Sequence, residues 1–157
     1  MRTTSGRGDN VGVGDVPLPG AIRLPDGARV RGRGLRRPAA GGVPEFGLYL
    51  GSARLRRKHE AGIGWPAAWV DWPDFGLPRE PEDAVARIRD LYERVRAGAA
   101  AEVACGGGVG RTGTVIACLA ILAGEPAESA VTWVRTHYHR RAVETGRQKA
   151  WVAAFRA

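Results

Sequence analysis

Between Ala104 and Gly113 the chain reads Ala-Cys-Gly-Gly-Gly-Val-Gly-Arg-Thr-Gly, and four of the five residues separating Cys105 from Arg111 are glycine. Upstream, Ala100-Ala-Glu-Val103 is short and apolar enough to end a buried strand. Downstream, the apolar run from Thr112 to Ala123 stops at Gly124 and is long enough for a helix. A glycine-rich turn between strand and helix points several backbone N–H groups into one small volume. The helix dipole adds partial positive charge there, so the turn is a cradle for an anion. Arg111 closes it with a planar fork of donors suited to phosphate. Cys105 stands at the mouth, in the electropositive kind of setting where thiols act as nucleophiles. Nucleophile and anion site coincide.

Other readings of the same residues make demands that the chain does not meet. Gly108-Val-Gly-Arg-Thr-Gly113 matches a dinucleotide-binding fingerprint, which requires a second strand bearing a carboxylate about 20 residues on. The region from Val131 to Arg135 is helical in pattern and carries no acid. An ATP-type loop requires a Lys that is absent here. A buried structural cysteine beside a tight turn stays compatible with Cys-x5-Arg taken alone.

A second motif, Trp72-Pro-Asp-Phe-Gly76, lies about thirty residues earlier, with a helical segment between the two. Cys-x5-Arg-Thr-Gly preceded by Trp-Pro-Asp resembles the cysteine-dependent protein tyrosine and dual-specificity phosphatases, most closely their small bacterial members. The resemblance covers roughly residue 45 to the C-terminus. It implies a phosphatase-like α/β fold and hydrolysis of a phosphate monoester, phosphotyrosine-like by preference, through a phosphocysteine. Cys105 is then the nucleophile, Arg111 the phosphate clamp and Asp74 the general acid, with Gly106, Gly107, Gly108, Val109, Gly110 and Arg111 binding phosphate. Asp71 is the rival acid. Thr112 corresponds to the hydroxyl that meets the sulfur, and its plain alternative is capping the helix. Gln148 corresponds to the glutamine that positions the hydrolytic water, and its alternative is a capping-box partner for Thr145. The family's histidine before the cysteine is replaced by Ala104. A thiolate needs no metal, so no cofactor and no metal are expected. A phosphate-binding module without turnover, or a phosphatase of a small metabolite, phosphoinositide or RNA 5′-phosphate, remains an alternative.

The chain of 157 residues suits a single domain, expected over residues 20–157 behind a poorly ordered glycine-rich tail at 1–19. Its net charge of +8 is lodged in the first sixty residues, which hold 12 Lys/Arg against 5 Asp/Glu. That run, Arg29 to Arg37 and Arg54 to Lys58, steers acidic or phosphorylated partners or forms a solvated face; it gives weak support to nucleic acid. Two cysteines make no disulfide framework, and no apolar run reaches bilayer-spanning length. A monomeric, cytoplasmic protein without a membrane partner is the expectation, acting on a phosphorylated protein or small molecule.

Along the chain, Ala21 to Arg31 reads as a hairpin around Pro25-Asp-Gly27, and Gly32 to Gly42 as a basic loop. Phe46 to Gly51 and Ala68 to Trp72 are strands. Pro81-Glu-Asp83 starts a helix ending near Gly98, with Val85, Ile88, Leu91, Tyr92 and Val95 on one face. Pro126 opens another, and a last helix follows Thr145. The pattern gives a central, mostly parallel sheet covered by helices on both faces, with Cys105 at the carboxyl end of its middle strand. Cys118 is expected in the core, and His59, His137 and His139 have no ligand-like spacing.

Overall fold

The computed structural model describes residues 17–39 and 41–157. The tail expected over residues 1–19 therefore lies outside the described residues except for 17–19, of which Leu18 is already buried. Five strands, β1 (Ile22–Arg23), β2 (Arg29–Gly34), β3 (Phe46–Gly51), β4 (Ala67–Asp71) and β5 (Ala101–Cys105), lie in the order β1-β2-β5-β3-β4. The β1–β2 hairpin is antiparallel, and the other three pairings are parallel. Five helices follow the strands: α1 (Ala53–His59), α2 (Pro81–Arg96), α3 (Gly110–Leu122), α4 (Ala130–His137) and α5 (Gly146–Ala154).

Strand alternation decides which face each side chain covers. Val30, Leu48, Leu50, Val70, Val103 and Cys105 point into the main core, where Ile88 and Leu91 of α2, Ile116 and Leu119 of α3, Val134 of α4 and Val152 of α5 meet them. The opposite face is thinner: Leu35, Tyr49 and Ala104 pack there with Leu55 of α1. Helices thus cover both faces, four on one and one short helix on the other. Among the described residues, no helix is long and apolar enough to cross a membrane.

Two features depart from the sequence pattern. The basic loop expected from Gly32 is strand as far as Gly34, and β2 is an interior strand between β1 and β5. Its arginines tolerate that position because the neighbouring strand supplies a carboxylate. Arg31 pairs in register with Glu102. Glu102, itself fully buried, accepts hydrogen bonds from Arg31 Nε and Nη2 at 2.9 and 2.7 Å, from Arg33 Nε and Nη2 at 2.8 and 2.9 Å, and from the Tyr49 hydroxyl at 2.7 Å. The other departure is α1, which no apolar period announces; it starts where Ser52 Oγ accepts from Leu55 N and is held by one buried side chain, Leu55.

Burial alone would raise the Glu102 carboxyl, but the bonds from Arg33, Tyr49 and Arg31 outweigh it and hold the group below the usual carboxylate range. A depressed folded-state value adds stability that is complete above the unfolded value, about 4.3, and is lost as pH falls through the folded one. Replacing Glu102 by Gln strands two guanidiniums and should cost about 3–5 kcal/mol in urea unfolding at pH 7. The gap to the parent protein should close below about pH 4, as the parent itself loses the ionised carboxylate.

Candidate active site

Cys105 ends β5, and α3 begins five residues later, so the loop Gly106–Val109 turns at the carboxyl edge of the sheet. The loop is shaped by close backbone approach. A Cβ at Gly34, on β2, would lie 2.7 Å from the carbonyl carbon and oxygen of Gly107. One at Gly108 would lie 2.5 Å from Gly34 N, and Gly108 is also left-handed, at φ +78°. Leu35 N and Arg36 N extend the β2 pairing onto the loop, donating to Cys105 O and Gly106 O at 2.8 and 3.1 Å. Gly34, which looks like linker in the arginine-rich run, therefore seats the Cys105 loop. Cys105 is buried at 2% exposure, and its Sγ accepts from the Gly108 amide at 3.2 Å.

Arg111 lies in the first turn of α3 and is 4% exposed. Its Nη1 donates to the Trp72 carbonyl at 3.0 Å, and its Nη2 lies 3.3 Å from Asp74 Oδ1. Its Nε is buried with no hydrogen-bond partner among the described residues, a donor that suits a bound oxyanion. The two sequence motifs, whose Asp74 and Cys105 are 31 positions apart, thus meet on one guanidinium. Asp71, the rival acid, sits on the other face of β4 and pairs with Arg79 at 3.4 Å. Geometry separates the two carboxylates: Asp74 reaches Arg111, and Asp71 reaches Arg79 instead.

The turn bearing Asp74 is fixed from behind. Trp72 is wholly buried, packs edge-to-face on Trp151 with centroids 5.4 Å apart, and donates from Nε1 to the Gly76 carbonyl at 2.7 Å. That carbonyl also accepts from Gln148 Nε2 at 3.1 Å. Between them Phe75 adopts φ +62°, a conformation costing an ordinary residue on the order of 1–3 kcal/mol unless its surroundings impose it. Here two donors on one carbonyl do so, and Phe75 is left 60% exposed beside the acid.

The two supporting residues make the following contacts. Gln148 is the N3 partner of a complete capping box with Thr145, its Oε1 taking the amides of Glu144 and Thr145 at 2.8 and 3.3 Å. With its oxygen on the cap and its nitrogen on Gly76, the buried side chain ties the start of α5 to the turn that bears Asp74. The Thr112 hydroxyl is buried but has no partner among the described residues; the sulfur takes the Gly108 amide instead. Ala104 fills the family's histidine position by packing with Tyr49, Leu35 and Leu55.

Several neighbours of the loop carry no motif. Arg36 lies over Gly106 and Glu144 over Gly110, each close enough to exclude a Cβ, and the Tyr138 hydroxyl donates to Gly108 O. The signal available was glycine where a strand or helix prefers a side chain. Cys118 is in the core, its thiol pushed up by burial. His137 stacks on Trp133, and His139 Nδ1 takes the Arg141 amide. Among the described residues no group of three or more His, Cys, Asp or Glu could hold a metal ion.

Comparison with known proteins gives concordant matches. Residues 79–154 match the profile of a family described as "PTP-SAK: Swiss Army Knife protein, DSP-PTPase phosphatase domain", a span that contains Cys105 and Arg111 but not Asp74. An uncharacterized protein of Methanocaldococcus jannaschii is 37% identical over 90 residues, 57% of this chain; the match spans only 59% of that relative's length. Tk-PTP in its active form superposes with a TM-score of 0.63 at 26% identity, over 85% of this chain and 93% of that one. Kinase associated phosphatase, with its catalytic cysteine replaced by serine, gives 0.66 at 13% identity, over 87% and 93% of the two chains. PTPMT1 gives 0.59 at 16%, over 86% and 92%. The last two likenesses speak to the fold alone.

The seat of the loop can be tested without touching the loop. Gly34→Ala puts a methyl group against unyielding backbone, and overpacking of this kind costs about 1–3 kcal/mol. Tungstate binding by calorimetry should weaken sharply while far-UV circular dichroism keeps its parent shape.

Proposed function

We propose that this chain is a phosphatase of the protein tyrosine and dual-specificity type, which part of it resembles, and that it hydrolyses phosphate monoesters through a phosphocysteine formed on Cys105, with Arg111 and the loop amides holding phosphate and Asp74 moving the proton. The observation that carries this reading is the position of Arg111. One guanidinium touches the acid's own turn at Trp72 O and Asp74, and rises from the loop that holds the sulfur. Nucleophile, clamp and acid are then parts of one arrangement.

The chemistry runs in two displacements. The Cys105 thiolate attacks phosphorus while the bond to the leaving oxygen breaks and Asp74 gives that oxygen its proton. The amides of Gly106 to Gly110, with Arg111, hold the three equatorial oxygens as charge shifts across them. Water then attacks phosphorus, Asp74 takes its proton, the S–P bond breaks and inorganic phosphate leaves. A phosphate that occupies the Arg111 fork competes with Asp74 for it. The half-exposed carboxyl is thereby released toward the leaving oxygen. Gln148, Trp72 and the Gly76 carbonyl limit how far that turn can swing.

A phosphotyrosine-like ester suits the mouth. Phe75 offers an aromatic face beside Asp74, in a surface pocket of about 420 Å³ shared with Arg135, Arg140, Arg141, Val143 and Glu144. The two exposed arginines there also suit acidic neighbours of the scissile phosphate, and PTPMT1 has been crystallised with a phosphoinositide, PI(5)P. Relative turnover of a phosphotyrosyl peptide and a phosphoinositide decides between the two substrates.

The parent protein should release phosphate from p-nitrophenyl phosphate, in the presence of chelator and with inhibition by vanadate. Cys105→Ser should reduce release to background; activity retained in that variant overturns the mechanism. Asp74→Asn should slow phenyl phosphate by about 10²–10⁴-fold in kcat, and p-nitrophenyl phosphate much less, because a better leaving group needs less protonation. Equal losses on both esters would reassign the acid.

A further inference from the structure

Tyr138 lies outside every motif, yet it touches the nucleophile's loop at its most informative atom. The residue follows α4, and its hydroxyl donates to the carbonyl of Gly108. The peptide between Gly108 and Val109 is planar and trans, so its C=O and N–H point in opposite directions. A carbonyl held outward by Tyr138 sends the Val109 N–H inward, to the side where the Gly108 amide meets Cys105 Sγ at 3.2 Å. The hydroxyl therefore sets the direction of a donor that it never touches.

The close approach of Gly34 seats the loop as a whole, and the Tyr138 hydroxyl is the side-chain donor that reaches the Gly108 carbonyl. On their outer side Gly107, Gly108 and Val109 border an open cavity of about 280 Å³, along with Arg37 and Pro38. Three consecutive glycines carry no side chain that would lock a peptide plane. The tyrosine ring, by contrast, is well seated: a Cβ at Gly32 would lie 2.6 Å from its Cε1 and 2.8 Å from Ile116 Cδ1. Burial, and next the negative charge of Cys105, push the phenol well above its usual value, so it stays a donor at every pH where the enzyme works.

We propose that Tyr138 is a positioning residue of the phosphatase: it fixes the Gly108–Val109 peptide so that the Val109 amide faces the phosphate. This rests on the phosphatase reading above. Tyr138→Phe keeps the ring and deletes only the donor. Losing one such amide should lower kcat/KM for p-nitrophenyl phosphate by about 100-fold and weaken vanadate inhibition at least tenfold. The melting temperature should change little. Gly32→Ala, which pushes the ring off its seat while keeping the hydroxyl, should cause the same loss of vanadate affinity. Protection of Cys105 from iodoacetamide by tungstate, measured in both variants, reads the cradle without relying on turnover. Should the parent protein turn over no ester, the phosphatase reading falls, and the tungstate protection still decides the role of Tyr138. Parent-like vanadate inhibition and tungstate protection in Tyr138→Phe would overturn the proposal, as would a drop in melting temperature with unchanged kcat/KM.

Discussion

A single buried carboxylate holds the middle of this protein together. Glu102 takes five hydrogen bonds from two arginines and a tyrosine, and those donors come from both strands that flank β5. A carboxylate and two guanidiniums away from water are a poor source of stability in themselves, since desolvation offsets most of their attraction. What they supply is register. Sliding β2 by one residue along β5 would turn Arg31 and Arg33 into the apolar core and leave Glu102 alone, which no compact arrangement tolerates. Three residues beyond Glu102 comes Cys105, so the same lock sets where the sulfur stands relative to Gly34.

Arg111 plays the corresponding part on the other side of the loop. It is nearly as buried as Glu102, and its partners are one carbonyl and one half-exposed carboxylate. The first contact is rigid because Trp72 is clamped by Trp151 and by its own bond to Gly76. The second can yield, because Asp74 is open to solvent. An incoming anion therefore meets a guanidinium whose position is fixed but whose countercharge is replaceable.

Much of this was legible in the sequence, and the misses have physical causes. Alternation and capping exposed β1, β3, β4, α2 and the Thr145 cap, because each depends on neighbours close in the chain. Asp74 and Arg111 were readable as a pair through the two motifs, and the structure brings them to 3.3 Å. The strand character of Gly32 to Gly34 was not readable locally. Arginine and glycine disfavour an interior strand until a carboxylate 71 positions away is placed opposite. Gln148 showed the converse: its local capping role was visible, and its bond to Gly76, 72 positions back, was not. Tyr138 gave no signal at all, since a tyrosine after an amphipathic helix is ordinary core composition.

The seat provided by Gly34 bears on what counts as a minimal unit. The region from 79 to 154 carries Cys105, Arg111 and every helix after α1, and it is the part that matches a phosphatase family profile. It lacks the hairpin whose last glycine admits the loop, the strand that completes the Glu102 lock, and the turn that bears Asp74. Cut out by itself, that stretch would keep the Cys-x5-Arg signature but not the parts that hold it in shape. The N-terminal arginine-rich hairpin is thus as much a component of the candidate site as the motif that gives it away.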